Sequence, residues 1–282
     1  MPNTTQCLMP IRTRGDLPPL FCVHGEPLEI ALRLQKDRPL YGVSLLYHPE
    51  LGRLGERAPQ SIEEYAALYL EDVRSVQPEG PYHLCGFSAG GLIAFEMARL
   101  LRQQGETLGE LVLIEPTFFV ADPAARDVQK ARAYWDYLAT SESKTKAVWE
   151  IIDKQAWAQK RRITKSFRQL TSKVCEKFGL PLPESLRWMV LIRYLRPVMR
   201  KYQYHQADCD GQLVYCEGSD SYRAQLEEFW ADKFTGQVDI IHIDQAYVHL
   251  DLMKDPALTA IVRMIDSSIA DRKPAETANL FP

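Results

Sequence analysis

No stretch of the 282-residue chain approaches the ~20 consecutive apolar residues that a membrane-spanning helix requires. The start, Met1-Pro2-Asn3-Thr4-Thr5, has neither the charged nor the apolar segment of a secretory leader. A cytoplasmic protein without a membrane partner is the expectation. Cysteine is scarce, and Cys7, Cys22, Cys85, Cys175, Cys209 and Cys216 contain no C-x-x-C spacing. That argues against a zinc site or a disulfide framework and for buried free thiols. With 46% apolar and 25% charged residues, the composition is that of a globular protein long enough for one large α/β core with an insertion.

Acidic residues are scarce in one segment. Residues 126–201 hold eighteen Lys plus Arg against seven Asp plus Glu, so this segment carries +11 while the net charge is −3. Charge of one sign gathered in one segment points to an anionic ligand or partner there. No nucleic-acid-binding motif accompanies it, so nucleic acid is not the expected partner.

What is present centres on Leu84-Cys85-Gly86-Phe87-Ser88-Ala89-Gly90-Gly91. Tyr82 to Phe87 read as a buried strand, and Leu92, Ile93, Phe95, Met97, Ala98 and Leu101 then recur near helical spacing. A G-x-S-x-G pentapeptide between a strand and a helix is the pattern of a nucleophile elbow. The sharp turn exposes the serine at the carboxyl end of a parallel sheet and leaves room only for small residues two positions either side. Ser88 is the candidate nucleophile, and the Ala89 amide, in the first helical turn, a candidate oxyanion donor.

Leu20 to Gly25 is an apolar strand ending in a loop, and Pro39 to Leu46 a second strand. In an elbow enzyme the loop after the first of these supplies the other oxyanion amide, here Gly25 or Glu26; His24 is read as structural. Ser61-Ile62-Glu63-Glu64 is a capping box that opens a helix with Tyr65, Leu68, Tyr69, Val73 and Val76 on its buried side. Gln77-Pro78-Glu79-Gly80-Pro81 ends that helix.

Ser61 to Gly91, with Gln-Pro-Glu-Gly-Pro-Tyr leading into Gly-Phe-Ser-Ala-Gly-Gly, resembles the thioesterase domains that end polyketide synthase and non-ribosomal peptide synthetase assembly lines. The likeness runs from about Leu20 to Pro116 and returns near the C-terminus. It implies an α/β-hydrolase fold, a mostly parallel central sheet flanked by helices, with a helical lid inserted after the sixth strand. It also implies a substrate tethered as a thioester to the phosphopantetheine arm of an acyl or peptidyl carrier protein, and no cofactor or metal of the enzyme's own. The Ser-Ala-Gly-Gly ending is closer to these terminal domains than to stand-alone editing thioesterases, which usually read Gly-His-Ser-Met-Gly.

Leu111 to Glu115 is an apolar run closed by one acid, the usual presentation of a triad carboxylate. The similar domains carry Asp where this chain has Glu115, one methylene longer. Asp220, after the later strand Leu213 to Cys216, is the alternative acid. His249 falls between the last strand, Val238 to Ile243, and a closing helix from about Pro256 to Ala270. The order Ser88, Glu115, His249 is nucleophile, acid, base, as the elbow fold demands. His242, inside a strand, is read as a packing residue.

The core is expected over residues 17–117 and 205–272, a helical lid over 118–204, and flexible ends over 1–16 and 273–282. Within the lid, Lys160, Arg161, Arg162, Arg193 and Arg196 are candidates for docking the carrier protein or the phosphate of its arm. Release of an acyl, polyketide or peptidyl chain through a Ser88 acyl-enzyme, by hydrolysis or cyclisation, is the expected function. A type II editing thioesterase, a general esterase or amidase, and a catalytically silent carrier-docking module are the alternatives.

Overall fold

The computed structural model describes residues 7–116, 182–215, 220–243 and 252–271, with 170, 172–175 and 177. Among them, seven strands form one sheet: β1 Leu8–Arg12, β2 Leu20–Val23, β3 Leu40–Val43, β4 Tyr82–Phe87, β5 Leu108–Ile114, β6 Gly211–Tyr215 and β7 Val238–His242. The spatial order is β1-β3-β2-β4-β5-β6-β7. Only β1 is antiparallel to its neighbour; the remaining pairs are parallel. Helices are α1 Pro27–Arg33, α2 Ile62–Val76, α3 Ala89–Gln103, α4 Glu184–Met199, α5 Asp220–Ala231 and α6 Ala257–Asp271.

Leu20–Val23 of β2, Leu84–Phe87 of β4, Leu111–Ile114 of β5 and Leu213–Tyr215 of β6 are apolar runs because the sheet is covered on both faces there. On one face Leu20, Cys22, Leu40, Cys85, Phe87, Val112, Ile114 and Val214 pack with Ile30 and Leu34 of the α1 segment and with Leu258, Ile261, Val262, Ile265 and Ile269 of α6. Side chains alternate along a strand, so Gly86 points to the opposite face, where α3 lies against β4 and β5. There Phe95 of α3 meets Trp230 of α5 edge to face, with ring centroids 5.3 Å apart, and Trp230 is fully buried.

Several expectations shift. Residues 8–12, read as part of a flexible end, form β1, and Ser44 N donates to Cys7 O at 2.7 Å. The second strand stops at Val43, because the Ser44 hydroxyl accepts from Leu46 N and turns the chain into a 3-10 segment over Leu45–Tyr47. Ser61 caps α2 as expected, Glu64 N donating to its hydroxyl at 3.1 Å, but the Glu64 carboxylate reaches Gln60 N instead of Ser61 N. On α2, Leu68 is half-buried and Val76 is exposed. The long excursion follows the fifth of the seven described strands, not the sixth. Between β6 and β7 a helix runs over Asp220–Ala231.

The chain divides into two compact units, Met1–Leu51 with Glu56–Thr117 and Leu191–Pro282, and Gly52–Gly55 with Phe118–Val190. The lid was expected to run to residue 204, yet Tyr202 and Tyr204 belong to the first unit for a visible reason. The Tyr202 hydroxyl donates to Glu96 Oε2 at 2.7 Å, and the Tyr204 ring packs edge to face on Trp230. Glu96 is fully buried on α3, and Arg99 supplies the balancing charge through Nε at 2.8 Å and Nη2 at 2.5 Å.

A second buried pair holds the α6 side. The Arg38 guanidinium, 1% exposed, donates to Asp266 Oδ1 at 3.2 Å and to Pro18 O at 2.8 Å, while Gln35 N donates to Asp266 Oδ2 at 2.9 Å. Among the described residues no helix is long and apolar enough to cross a membrane. Removing one partner of a buried pair leaves the other charge unpaired away from water. Asp266→Ala is therefore expected to cost about 3–5 kcal/mol in urea unfolding, more than Arg57→Ala, whose partner Glu50 sits on the surface.

Candidate active site

Three neighbouring strands, β2, β4 and β5, each end in a residue with positive φ: His24 at 58°, Ser88 at 55° and Glu115 at 40°. They are the only non-glycine residues in that region among those described. Such backbone costs roughly 1–3 kcal/mol per residue and persists only where the surroundings enforce it. Here hydrogen bonds carry the sheet ladder one residue past each strand: His24 N to Val43 O at 3.0 Å, Ser88 N to Ile114 O at 2.9 Å and Glu115 N to Val214 O at 2.8 Å. Because Phe87 is in register with Ile114, Ser88 and Glu115 stand side by side at the carboxyl edge.

Ser88 adopts φ 55°, ψ −120° and caps α3, whose ladder begins with Gly91 N and Leu92 N donating to Ser88 O at 3.0 and 3.4 Å. The amides of Ala89 and Gly90 are thereby left without intrahelical acceptors at the positive end of the helix dipole. A Cβ on Gly86 would collide with Gly90 O and lie 2.7 Å from Gly91 Cα. One on Gly90 would collide with Val23 O and lie 2.7 Å from His24 Cβ, and one on Gly91 would lie 2.9 Å from Pro116 Cβ. The pentapeptide spacing is thus a steric requirement of the turn, as the elbow pattern predicts.

The β2 loop is held from below. His24 is buried, and its Nε2 lies 3.0 Å from the Tyr69 hydroxyl, which accepts from Leu45 N at 2.8 Å. Burial pushes the His24 pKa down to about 4, so the imidazole is neutral at physiological pH. That agrees with the structural role read from sequence. Cys22 Sγ donates to His24 O at 3.2 Å, and its contact with the Cys85 thiol, together with burial, pushes its own thiol well above the usual range, which makes it an inert packing group. Gly25 has φ 76° and places the Gly25-Glu26 amides at the strand end next to β4. Sequence reasoning missed Tyr69 and Cys22. Tyr69 is one of three tyrosines near α2's buried stripe and β4, and only the fold selects the one that reaches His24.

Of the expected site residues, Ser88, Glu115, Ala89, Gly25 and Glu26 come together on adjoining strand ends. Glu115 is 8% exposed, so its carboxylate is a buried group at the sheet edge. Asp220 is the first residue of α5. Arg193 and Arg196 are exposed on the second half of α4. His249, Lys160, Arg161 and Arg162 lie outside the described residues, as does the side chain of Asp220. His242 packs at the end of β7 as read from sequence, its side chain 25% exposed and its Nε2 2.9 Å from Glu227 Oε1 of α5. Among the described residues no cluster of His, Cys, Asp or Glu could hold a metal ion.

The family model described as "Thioesterase domain" matches residues 29–269. The chain is 37% identical over 134 residues to the dimodular nonribosomal peptide synthase of Bacillus subtilis (strain 168), covering 44% of this chain and 5% of that protein. It is 34% identical over 116 residues to polyketide synthase PksR of the same organism, covering 39% of this chain and 4% of that protein. It therefore spans a small fraction of the relatives it matches. Among solved structures, the NocB thioesterase domain from the nocardicin cluster superposes with TM-score 0.59 at 19% identity, covering 94% of this chain and 99% of that one. The four-domain nonribosomal peptide synthetase AB3403 superposes with TM-score 0.61 at 21% identity, covering 95% of this chain and 20% of that one. At these identities the likeness is one of fold.

Two outcomes are expected from this geometry. Gly90→Ala, which drives a methyl into the Val23 carbonyl, should abolish soluble folded protein or lower the thermal midpoint by 10 °C or more, by the usual conversion of several kcal/mol for a domain of this size. The depressed His24 pKa means that between pH 6.5 and about 4 the unfolded chain binds a proton the folded chain does not. This contribution is complete above pH 6.5 and falls as pH drops to about 4, by up to about 3 kcal/mol. His24→Gln should flatten that part of a pH series of denaturant midpoints.

Proposed function

Because the chain belongs to the thioesterase domain family, we propose that it cleaves an acyl thioester through a covalent intermediate on Ser88. The observation that carries this reading is the serine's strained conformation, enforced by the contacts of Gly86 and Gly90, at the mouth of a parallel sheet. In the proposed reaction His249 takes the Ser88 proton as Oγ attacks the thioester carbonyl. Glu115, Ser88's neighbour in register, stabilises the imidazolium. The amides of Ala89 and of the Gly25-Glu26 loop hold the tetrahedral oxyanion, each worth about 3–4 kcal/mol in comparable enzymes. Collapse of the intermediate breaks the C–S bond, and the imidazolium returns its proton to the departing thiolate. Water, or a hydroxyl or amine within the acyl chain, then attacks the ester on Ser88, giving a free acid or a cyclised product.

The substrate is read as an acyl, polyketide or peptidyl chain on the phosphopantetheine thiol of a carrier protein, since the relatives are parts of peptide and polyketide synthases. The basic segment supports that partner: an acidic carrier surface or the arm's phosphate would meet Lys160, Arg161, Arg162, Arg193 and Arg196. A core that includes β1 and the chain from Leu191 onward, with a lid over 118–190, is the proposed division of labour. Glu115 is preferred to Asp220 because it lies beside Ser88 at the end of the adjoining strand, whereas Asp220 follows β6, one strand further away.

Three measurements test the proposal. Ser88→Ala should keep its circular dichroism and melting behaviour while losing both cleavage of an acyl-pantetheine and the intact-mass adduct of a fluorophosphonate; absence of cleavage by wild type and variant alike would leave a docking module, and full cleavage by the variant would remove Ser88 as nucleophile. Glu115→Gln should lower kcat by about 10²–10⁴-fold with Asp220→Asn within a few-fold, and the reverse result moves the acid to Asp220. Arg193→Glu with Arg196→Glu should raise KM for carrier-bound substrate at least tenfold and leave a small thioester mimic unaffected. Equal losses on both substrates would remove the docking role.

A further inference from the structure

The loop that offers Gly25 and Glu26 leads directly into α1, and the last residue of that helix makes a fork-to-fork ion pair. Arg33 Nε donates to Asp255 Oδ1 at 2.8 Å and Arg33 Nη2 to Asp255 Oδ2 at 2.6 Å. Both ends are braced. Arg33 Nη1 returns to Glu29, 2.7 Å from its carbonyl and 2.9 Å from Oε2, and the Thr259 hydroxyl donates to Asp255 Oδ1 at 2.5 Å. The Arg33 guanidinium and the Thr259 hydroxyl hold the Asp255 carboxyl below the usual carboxylate range.

Asp255 is six residues beyond His249 in sequence, on the connection between β7 and α6. The same exit is pinned a second time. Leu252 and Met253 are buried in the core cluster that contains Cys22, Cys85 and Phe87. Met253 Sδ lies 3.7 Å from the point a Cβ on Gly25 would occupy. The segment Leu252–Asp255 thus packs beside the β2–α1 loop near Gly25 and is tied to the far end of α1 through Asp255. Ser88 needs no such fastening, since its place is set by β4, β5 and α3.

On the reading above of Ser88 and the Gly25-Glu26 amides, we propose that Arg33 and Asp255 are positioning residues that hold the second oxyanion donor in place by tying α1 to the segment Leu252–Asp255. The pair's side chains are 20% and 54% exposed, so its contribution to global stability is small, as for surface pairs generally. Its effect falls on the geometry of the reacting groups, where a shift of about 1 Å costs on the order of 100-fold in rate. A separation between rate and stability is the signature of this role.

The test uses the full chain as Arg33→Ala, Asp255→Ala and the double variant. Each is measured for the rate of fluorophosphonate adduct formation on Ser88 by intact mass, for kcat and KM on an acyl-pantetheine, and for thermal midpoint. Either single change should slow adduct formation and kcat at least tenfold with KM within twofold and the midpoint within a few degrees. The double variant should be no slower than the slower single one, since both changes break the same link. Arg33→Lys, which keeps the charge and loses the fork, should recover only part of the rate. Wild-type adduct rates in the single variants, or losses that track the midpoint, would overturn the clamp while leaving the serine mechanism standing. Absence of any adduct on the wild-type chain would instead sink the mechanism, and the clamp with it.

Discussion

The structure depends on the close approach of four backbone segments around one turn. The end of β2, the body of β4, the first turn of α3 and Pro116 after β5 pass so near one another that no Cβ fits on Gly86 or Gly90, and none on Gly91 without displacement. That contact fixes the Ser88 dihedrals, aims the Ala89 amide, and sets β2 and β5 beside β4 so that Gly25 and Glu115 flank the serine. Strain at three strand ends is tolerated because a continuous apolar core on both faces of the sheet makes each strand end immovable.

Around this apolar body the polar contacts have distinct duties. Glu96 with Arg99 and Tyr202, and Arg38 with Asp266, are buried pairs whose charges are matched, so they act as pins that fix which segment lies where. His24 with Tyr69 is a neutral pin beneath the Gly25-Glu26 loop, neutral because burial disfavours the imidazolium. Arg33 with Asp255 is the exposed member of the set, and it joins the end of α1 to the residues just before α6.

Much of the fold was legible in the chain because its signals are local. Strand stretches covered on both faces must be apolar, so Leu20–Val23, Leu84–Phe87, Leu111–Ile114 and Leu213–Tyr215 stand out, and the close packing at the elbow can be met only by glycine, so Gly86 and Gly90 announce the turn. What misled was local chemistry with two outcomes. Ser44 suits a strand or a cap, and its hydroxyl chose the cap. Residues 8–12 look like a tail, and become a strand only because β3 offers an open edge.

The sequence alone determined the chemistry on offer: a serine between small residues after an apolar strand, one acid closing the next strand, and a basic segment in the middle. Each rests on neighbours within a few positions, where residue type and spacing decide conformation. Only the tertiary structure decided that Ser88 and Glu115 end adjoining strands, that Tyr69 is the partner of His24, and that Arg33 meets Asp255 across 222 residues. Pairings of that kind are set by strand order and helix docking, and the free energy that selects them belongs to the whole core.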